Sequence, residues 1–220
     1  MKRLEITNEE VIFIGQEAEQ CVYIFKDIEY DKVLLMSLES RDQEYSFEFE
    51  SNKVIVPNLK YFMISGAQAF GYFTDFLKTL QPLLQIEGFY FHRTGMIKPP
   101  EFLWTFRNLT YITFRNEDIN EIPVQVFDLT GLRNLSFQYC PNIKIVSDDI
   151  KKLTDLIVFD LWQASITYLS YELFLLPKIK FINFAYSNYL PDQKVKEAMS
   201  MFKRRDNIYL TTPSEESTLK

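Results

Sequence analysis

An apolar triplet recurs at a nearly constant step through the second half of this 220-residue chain. Segments that begin at residues 86, 109, 132, 156 and 179 are successively 23, 23, 24 and 23 residues apart. Positions one, four and six of each segment are apolar: Ile86, Phe89 and Phe91; Leu109, Ile112 and Phe114; Leu132, Leu135 and Phe137; Leu156, Phe159 and Leu161; Ile179, Ile182 and Phe184. Positions four and six share one face of a short strand, because side chains alternate along a strand. The step therefore predicts stacked units that bury one continuous core.

A second apolar group follows each predicted strand, and the stretch "EIPVQVFDLTGLRNLSF" at residues 121–137 is the clearest case. Pro123 begins this group, Val126 and Phe127 anchor it, and Leu129 closes it before the next strand starts. Apolar residues spaced three apart are typical of a short helix or 3-10 turn that packs back on the strand.

The pattern L-x-x-L-x-L followed by I-P-x-x-φ-x-x-L resembles the leucine-rich repeat family, most closely in "LTYITFRNEDINEIPVQVFDLTGL". The resemblance implies an α/β leucine-rich repeat solenoid. In this fold a curved parallel β-sheet lies on the concave side, short helices or 3-10 turns lie on the convex side, and caps close both ends. Members often carry Asn at position nine, where this chain has Thr94, Glu117, Cys140, Ala164 and Ser187. Glu117 fits that position poorly, which predicts a looser or differently aligned turn at residues 115–119.

Four segments are predicted along the chain. Residues 1–56 are expected to form an N-terminal β-rich cap, with "EVIFIG", "CVYIFK" and "YSFEFESNKVIV" as strands and "VLLMSLE" as a candidate divergent repeat. Residues 57–190 are expected to be leucine-rich repeats, including a strand in "LKYFMIS". Residues 191–210 are expected to be a C-terminal cap helix and strand, and residues 211–220 a disordered tail.

Charge, hydropathy and cysteine content exclude several classes of protein. A net charge of −6 argues against nucleic-acid binding. The apolar runs are too short for a membrane helix, and the N-terminus lacks the apolar region of a signal peptide. Two distant cysteines, Cys21 and Cys140, are not a disulfide framework. A cytoplasmic protein without a membrane or nucleic-acid partner is therefore predicted, and the oligomeric state stays open.

The residues that carry chemistry are sparse. His92 is the sole histidine, no G-x-S-x-G or phosphate-binding glycine loop occurs, and there are too few Cys and His for zinc. Cys140 falls on the repeat position that is expected to be buried, which favours a structural thiol. We predict no catalytic residue, no metal site and no cofactor.

Positions three, five, seven and eight of each repeat are predicted to face out of the concave wall. Protein interfaces are enriched in Tyr, Trp and Arg and depleted in Lys and Glu, as these positions are. The predicted partner-binding residues are Tyr90, His92, Arg93, Tyr111, Arg115, Asn116, Gln138, Tyr139, Asp160, Trp162, Gln163, Asn183 and Tyr186. His92, Arg93 and Arg115 are expected to form a basic patch, which predicts acidic residues on a protein partner.

The predicted function is a non-enzymatic protein-interaction module or scaffold that binds its partner on the concave face. One alternative is a specific inhibitor, of the immunity type, of a single protein. A second alternative is a small-ligand or enzymatic pocket made by Tyr90, His92 and Arg93, although an open curved sheet seldom encloses a small molecule. A third is a structural protein that self-associates.

Overall fold

The computed structural model describes residues 86–187 and 190–212, together with the backbone of seven strands between Lys2 and Ser65. The chain divides into two units, Met1–Gly95 and Met96–Lys220. Most of the predicted tail, from residue 213 onward, lies outside the described residues. The predicted division into cap, repeats and tail stays a prediction.

The first unit holds eight described strands. They are β1 (Lys2–Ile6), β2 (Glu9–Gln16), β3 (Glu19–Lys26), β4 (Lys32–Ser37), β5 (Glu44–Phe49), β6 (Asn52–Pro57), β7 (Tyr61–Ser65) and β8 (Gly88–His92). Strands β1 to β4 pair antiparallel in sequence order, and β5 and β6 form a separate antiparallel pair. Strand β7 pairs in parallel with β8, as repeat strands do. Strand β4, which contains "VLLMS", pairs antiparallel with β7 and so is not stacked as a repeat.

The second unit is built on a parallel ladder. Its strands are β9 (Tyr111–Arg115), β10 (Asn134–Gln138), β12 (Val158–Asp160), β14 (Phe181–Asn183) and β15 (Tyr209–Thr211), hydrogen-bonded in that order. From β9 to β14, residues at the same repeat position are partners, for example Asn134 with Tyr111 and with Val158. Each strand therefore presents its position-three and position-five side chains in register with those of its neighbours.

The opposite side of each repeat is a short 3-10 helix. These helices are η1 (Glu101–Thr105), η2 (Val124–Asp128), η3 (Asp148–Lys152) and η4 (Tyr171–Leu175). Each helix follows a residue in the extended conformation. Before η2 this residue is Pro123, and proline suits the place because its φ is fixed and it has no amide hydrogen to donate. Helix η2 begins 15 residues after Leu109, whereas η3 begins 16 after Leu132. The additional residue of the third repeat lies between Cys140 and Asp148, beside the two-residue strand β11 (Ile145–Val146), which pairs with β13 (Tyr168–Leu169).

The core is formed by the predicted triplet. Its members in the second unit are at most 2% exposed, and the rings of Phe114 and Phe137 stack with centroids 5.1 Å apart. Position nine is buried in every described repeat. Its residues are Thr94, Glu117, Cys140, Ala164 and Ser187. The expected misalignment at Glu117 is wrong: β9 and β10 keep the common register, and a Glu117 carboxylate oxygen accepts a hydrogen bond from the Met96 amide at 3.1 Å. The carboxylate thus meets a main-chain donor where many repeats use an asparagine.

Position eight of each repeat adopts a left-handed backbone conformation. The φ angles are 53° at Arg93, 55° at Asn116, 53° at Tyr139, 58° at Gln163 and 59° at Tyr186. This conformation costs a side-chain-bearing residue about 1–2 kcal/mol, and Asn tolerates it best. Hydrogen bonds between repeats hold the turn: the amides of Asn116, Tyr139 and Gln163 donate to the position-seven carbonyls of Gln138, Trp162 and Ala185 at 2.9, 2.8 and 3.0 Å.

The C-terminal end of the second unit carries the predicted helix and strand. The helix spans Gln193–Phe202, and the Asp192 carboxylate caps it by accepting from the Val195 amide at 2.9 Å. It buries Val195, Ala198 and Phe202, and Lys194 lies 3.6 Å from the ring centroid of Tyr171 in η4. Arg205, which follows the helix, donates to the Leu176 carbonyl at 2.8 Å. This hydrogen bond joins the residues after the helix to the neighbouring repeat.

Replacing Gln163 by glycine should raise the free energy of unfolding by about 1 kcal/mol, because glycine adopts positive φ without a Cβ clash. Urea unfolding of the full chain measures the change. The matched control is Gln125→Gly in η2, where φ is not positive and glycine should destabilise the chain by a similar amount. Equal losses in the two variants would contradict the strain assigned to position eight.

Candidate functional site

The sheet face opposite the core of the second unit carries a row of large side chains at positions seven and eight. Tyr139, Trp162 and Tyr186 lie in successive repeats, with ring centroids 4.8 Å apart for the first pair and 6.2 Å for the second. The Arg115 guanidinium lies 5.6 Å from the Tyr139 ring centroid and extends the row by one repeat. We name these four residues the aromatic ridge. Because neighbouring strands lie about 4.8 Å apart, a position-seven side chain of one repeat can contact a position-eight side chain of the next.

The ridge is not part of the core. Tyr186 is 59% exposed, and Arg115, Tyr139 and Trp162 are half-buried, whereas the core triplets beneath them are fully buried. Trp104, the other tryptophan of the chain, is 5% exposed in η1. Tyr139 and Tyr186 also occupy the left-handed position, where an aromatic side chain is unfavourable for the backbone. Large aromatic residues held at a strained and accessible position are typical of a functional surface.

Shorter polar residues lie beside the ridge at position five. They are Thr113, Ser136, Asp160, Asn183 and Thr211, and we name them the polar floor. Thr113 and Ser136 are each 3% exposed, although alternation turns them away from the core. Across the floor from the ridge lie the position-three residues, which include Tyr111 and the stacked rings of Phe181 and Tyr209, 4.6 Å apart. The floor is thus a line of short side chains between two lines that contain long ones.

Asp160 is the charged member of the floor. Its two carboxylate oxygens accept from the Gln138 side-chain amide at 2.7 Å and from the Trp162 main-chain amide at 3.0 Å. Burial raises the pKa of Asp160, and these hydrogen bonds, a further one from Asn183 and the charge of Arg115 oppose the shift. Asn183 in turn accepts from the Ala185 amide at 3.1 Å. The predicted residues Gln138, Asp160 and Asn183 therefore form one hydrogen-bonded cluster at the foot of Trp162.

The predicted site residues divide between the two units. Tyr90, His92 and Arg93 belong to the first unit, where the Tyr90 and His92 rings are 6.4 Å apart and Arg93 is exposed. The predicted patch of His92 and Arg93 with Arg115 stays a prediction, because Arg115 belongs to the second unit. Asn116 and Gln163 occupy the left-handed position eight, directly after the ridge residues Arg115 and Trp162. Tyr111 lies across the polar floor from the ridge.

The structure adds two residues that the sequence prediction does not include. Asn134 Oδ1 and Ser136 Oγ on β10 are buried and have no hydrogen-bond partner among the described residues. Alternation places both side chains on the open sheet face, but no sequence signal reveals whether a buried polar group is paired. Asn134 and Ser136 therefore add polar groups to a sheet face that also carries aromatic side chains.

The described part of the chain holds one cysteine, Cys140, and it is buried. No group of three or more His, Cys, Asp or Glu side chains is arranged there to hold a metal ion. Burial raises the pKa of the Cys140 thiol to about 12, and its Sγ lies 3.5 Å from the Gln138 carbonyl and 3.7 Å from that of Phe114. A thiol with this pKa carries almost no thiolate at neutral pH, which agrees with the predicted structural role.

The parallel in-register ladder, the 3-10 helices behind it and the buried position nine decide the fold. It is a leucine-rich repeat solenoid. No helix among the described residues is long and apolar enough to cross a membrane.

Comparison with known proteins gives structural likeness alone. No family model matches the chain, and no curated protein does either. The leucine-rich repeat domain of the type III effector XopL aligns at 17% identity over 59% of this chain and 45% of that domain, with a TM-score of 0.48. The ectodomain of the receptor kinase SOBIR1 from Arabidopsis thaliana aligns at 13% identity over 80% and 83%, with a TM-score of 0.47.

A leucine-rich repeat protein of Leptospira interrogans aligns at 16% identity over 51% of this chain and 38% of that one, with a TM-score of 0.37. The solenoid therefore spans less than half the length of the XopL domain and of the Leptospira protein. The repeat geometry described above identifies the fold.

The raised pKa of Asp160 predicts a measurable pH dependence of stability. Because burial favours the protonated carboxyl in the folded chain, the folded state binds this proton more tightly than the unfolded state. Its contribution to stability therefore falls as pH rises from about 4, the ordinary aspartate value, through the raised folded pKa. The free energy of unfolding of wild type minus that of Asp160→Asn should decline over this range and then level off.

Urea unfolding of both proteins at a series of pH values measures this difference. Subtracting the two free energies of unfolding cancels the contribution of Asp155, which both proteins share. The Lys178 side chain lowers the pKa of Asp155, so that contribution rises with pH instead of falling. A difference that stays constant from about pH 4 to pH 7 would contradict the raised pKa.

Proposed function

We propose that this leucine-rich repeat solenoid is a non-enzymatic protein-interaction module that binds a protein partner on its open sheet face. The observation that carries the proposal is the aromatic ridge, in which Tyr139 and Tyr186 adopt a strained backbone conformation and remain accessible. Binding energy at protein interfaces concentrates in Tyr, Trp and Arg, which are the residue types of the ridge. The sequence supports a cytoplasmic scaffold that acts without nucleic acid, membrane or cofactor.

The proposed binding residues are those predicted from the sequence, centred on Trp162. Tyr139, Tyr186 and Asp160 contact Trp162, and Arg115, Gln138 and Asn183 contact those three residues in turn. Tyr111, Asn116 and Gln163 extend the surface along the repeats. Tyr90, His92 and Arg93 of the first unit are proposed binding residues in their own right, and acidic residues on the partner are the complement of His92, Arg93 and Arg115.

An inhibitor of one specific protein is the second candidate. The chain is small and carries a net charge of −6, which suits neutralisation of a basic protein, although it agrees equally with a scaffold. If the captured partner is an enzyme, addition of the folded chain to its assay separates the two: an inhibitor abolishes the activity at equal concentration, and a scaffold leaves it unchanged.

Substituting Tyr139, Trp162 and Tyr186 together by alanine should remove partner binding without unfolding the chain, because none of the three rings belongs to the core triplets. The test is co-purification from a lysate of the source organism, with circular dichroism to check the fold. The matched control substitutes Val124 and Ile145 by alanine, two apolar residues on the opposite side that are 60% and 57% exposed. One protein retained by wild type and by the control, but lost from the triple variant, is the expected result; its retention by the triple variant would contradict the proposal.

A further inference from the structure

The two edges of the sheet in the second unit differ in charge. The segments that lead into β9, β10, β12, β14 and β15 are residues 106–110, 129–133, 153–157, 176–180 and 203–208. Together they contain seven Lys or Arg residues and two Asp residues. The segments that lead out of β9, β10, β12 and β14 are residues 116–123, 139–147, 161–170 and 184–192. These contain one Lys and four Asp or Glu residues.

The lead-in segments lie together because all five strands are parallel, and we name them the basic edge. Hydrogen bonds between repeats hold this edge in register. The amides of Arg133, Ile157 and Lys180 donate to the position-two carbonyl of the preceding repeat at 2.8, 2.8 and 2.9 Å. Arg133 and Lys180 are therefore two strand spacings apart, about 10 Å, and the whole edge covers four spacings, about 19 Å.

Much of the positive charge on the basic edge is available to a ligand. Asp155 is already paired, because Lys178 Nζ lies 2.6 Å from its Oδ1. Four exposed side chains of the edge lie outside ion-pair distance of every acidic side chain in the part of the chain that the structure describes: Arg107, Arg133, Lys180 and Arg204. A chain of net charge −6 thus presents a local excess of positive charge along one edge of its sheet.

The shape of the basic edge favours carboxylates of a protein over a larger anionic surface. The edge is a strip only one lead-in segment wide, and the 3-10 helices that precede it expose Glu101, Asp128 and Asp148. A DNA duplex or an anionic membrane is wider than this strip and would bring its phosphates near these carboxylates, within the range of charge repulsion. A short run of acidic residues can follow the strip alone, and Arg pairs well with carboxylates because its guanidinium can donate two hydrogen bonds to one of them.

We propose that the basic edge is a second interaction surface, which binds an acidic segment of a protein through Arg107, Arg133, Lys180 and Arg204. This surface goes beyond the proposed function, because the ridge residues follow the strands whereas the edge residues precede them. Five residues separate position two from position seven, about 17 Å along a strand. One protein on the open sheet face and another on the basic edge can therefore be held at the same time, as a scaffold requires.

The probe is a fluorescein-labelled oligoglutamate peptide about eight residues long, which spans about 26 Å when extended. Fluorescence anisotropy measures its binding to the full chain. Affinity should be lower at about 0.15 M salt, where the Debye length is about 8 Å, than at about 0.01 M, where it is about 30 Å. The charge-reversed variant Arg133→Glu, Lys180→Glu and Arg204→Glu should lose about tenfold or more in affinity, since each ion pair is replaced by a repulsion.

The matched control reverses three exposed lysines outside the basic edge: Lys98→Glu, Lys144→Glu and Lys196→Glu. Both variants have the same net charge, so they differ only in where the charges change. At about 0.15 M salt, where distant charges are screened, the control should bind the peptide as wild type does. Equal losses in the two variants would show attraction by net charge alone and would overturn the proposal.

A neutral variant guards against loss of the fold on charge reversal. Arg133→Gln, Lys180→Gln and Arg204→Gln remove the positive charges without placing a new carboxylate near Asp155. Circular dichroism checks that each variant is folded. The neutral variant should show a smaller loss of peptide affinity than the reversed one, and wild-type affinity in the folded neutral variant would contradict the proposal.

Two further ligands separate carboxylates from phosphates: a DNA duplex and vesicles of phosphatidylserine and phosphatidylcholine. Wild type should bind both more weakly than oligoglutamate at equal concentration of negative charge. Tighter binding of either, lost from the charge-reversed variant, would mean that the edge recognises phosphate, and the assignment to an acidic protein would be wrong.

The proposal fails separately from the proposed function. If Arg115→Gln abolishes oligoglutamate binding and the charge-reversed variant retains it, the acidic ligand binds the open sheet face; the basic edge is then overturned and the interaction module is not. The triple variant of Tyr139, Trp162 and Tyr186 should bind oligoglutamate as wild type does. Retention of the co-purified partner by that triple variant overturns the proposed function alone.

Discussion

The hydrogen bond from the position-eight amide of one repeat to the position-seven carbonyl of the next fixes the geometry of the second unit. It continues the parallel ladder beyond the strand and holds a backbone turn that non-glycine residues adopt at a cost. Because each repeat is tied to its neighbour in the same way, the side chains at positions three, five, seven and eight form aligned rows. The ridge and the floor are two of these rows.

The arrangement separates the buried core from the open sheet face within a few residues of sequence. Phe137 is buried against Phe114, whereas Tyr139, two residues later, is half-buried on the open face against Trp162. The strain at Tyr139 is tolerated because hydrogen bonds on both sides of the turn over-determine its backbone. The core therefore supplies the stability that allows a strained aromatic row to persist at the surface.

The repeat step predicts the strands, the 3-10 helices and the core triplets, because burial enforces a constant spacing of apolar residues. It fails at Glu117, where the loss of asparagine suggests a misaligned turn, but a longer side chain reaches the Met96 amide and the register is kept. The site is predictable only as a set of outward-facing positions. Alternation cannot reveal that Asp160 is bonded to Gln138 while Ser136 beside it is not, since that depends on side-chain conformation.

The extra residue of the third repeat lies in the segment between Cys140 and η3, and β10 and β12 remain in register across it. Length variation is thus absorbed on the side of the 3-10 helices, and the spacing of the rows is unaffected. The sequence and length of one side of a repeat can accordingly change without changing those of the other side. One side can lengthen, shorten or carry an inserted tag, while the other keeps its pattern of contacts or acquires a new specificity by substitution alone.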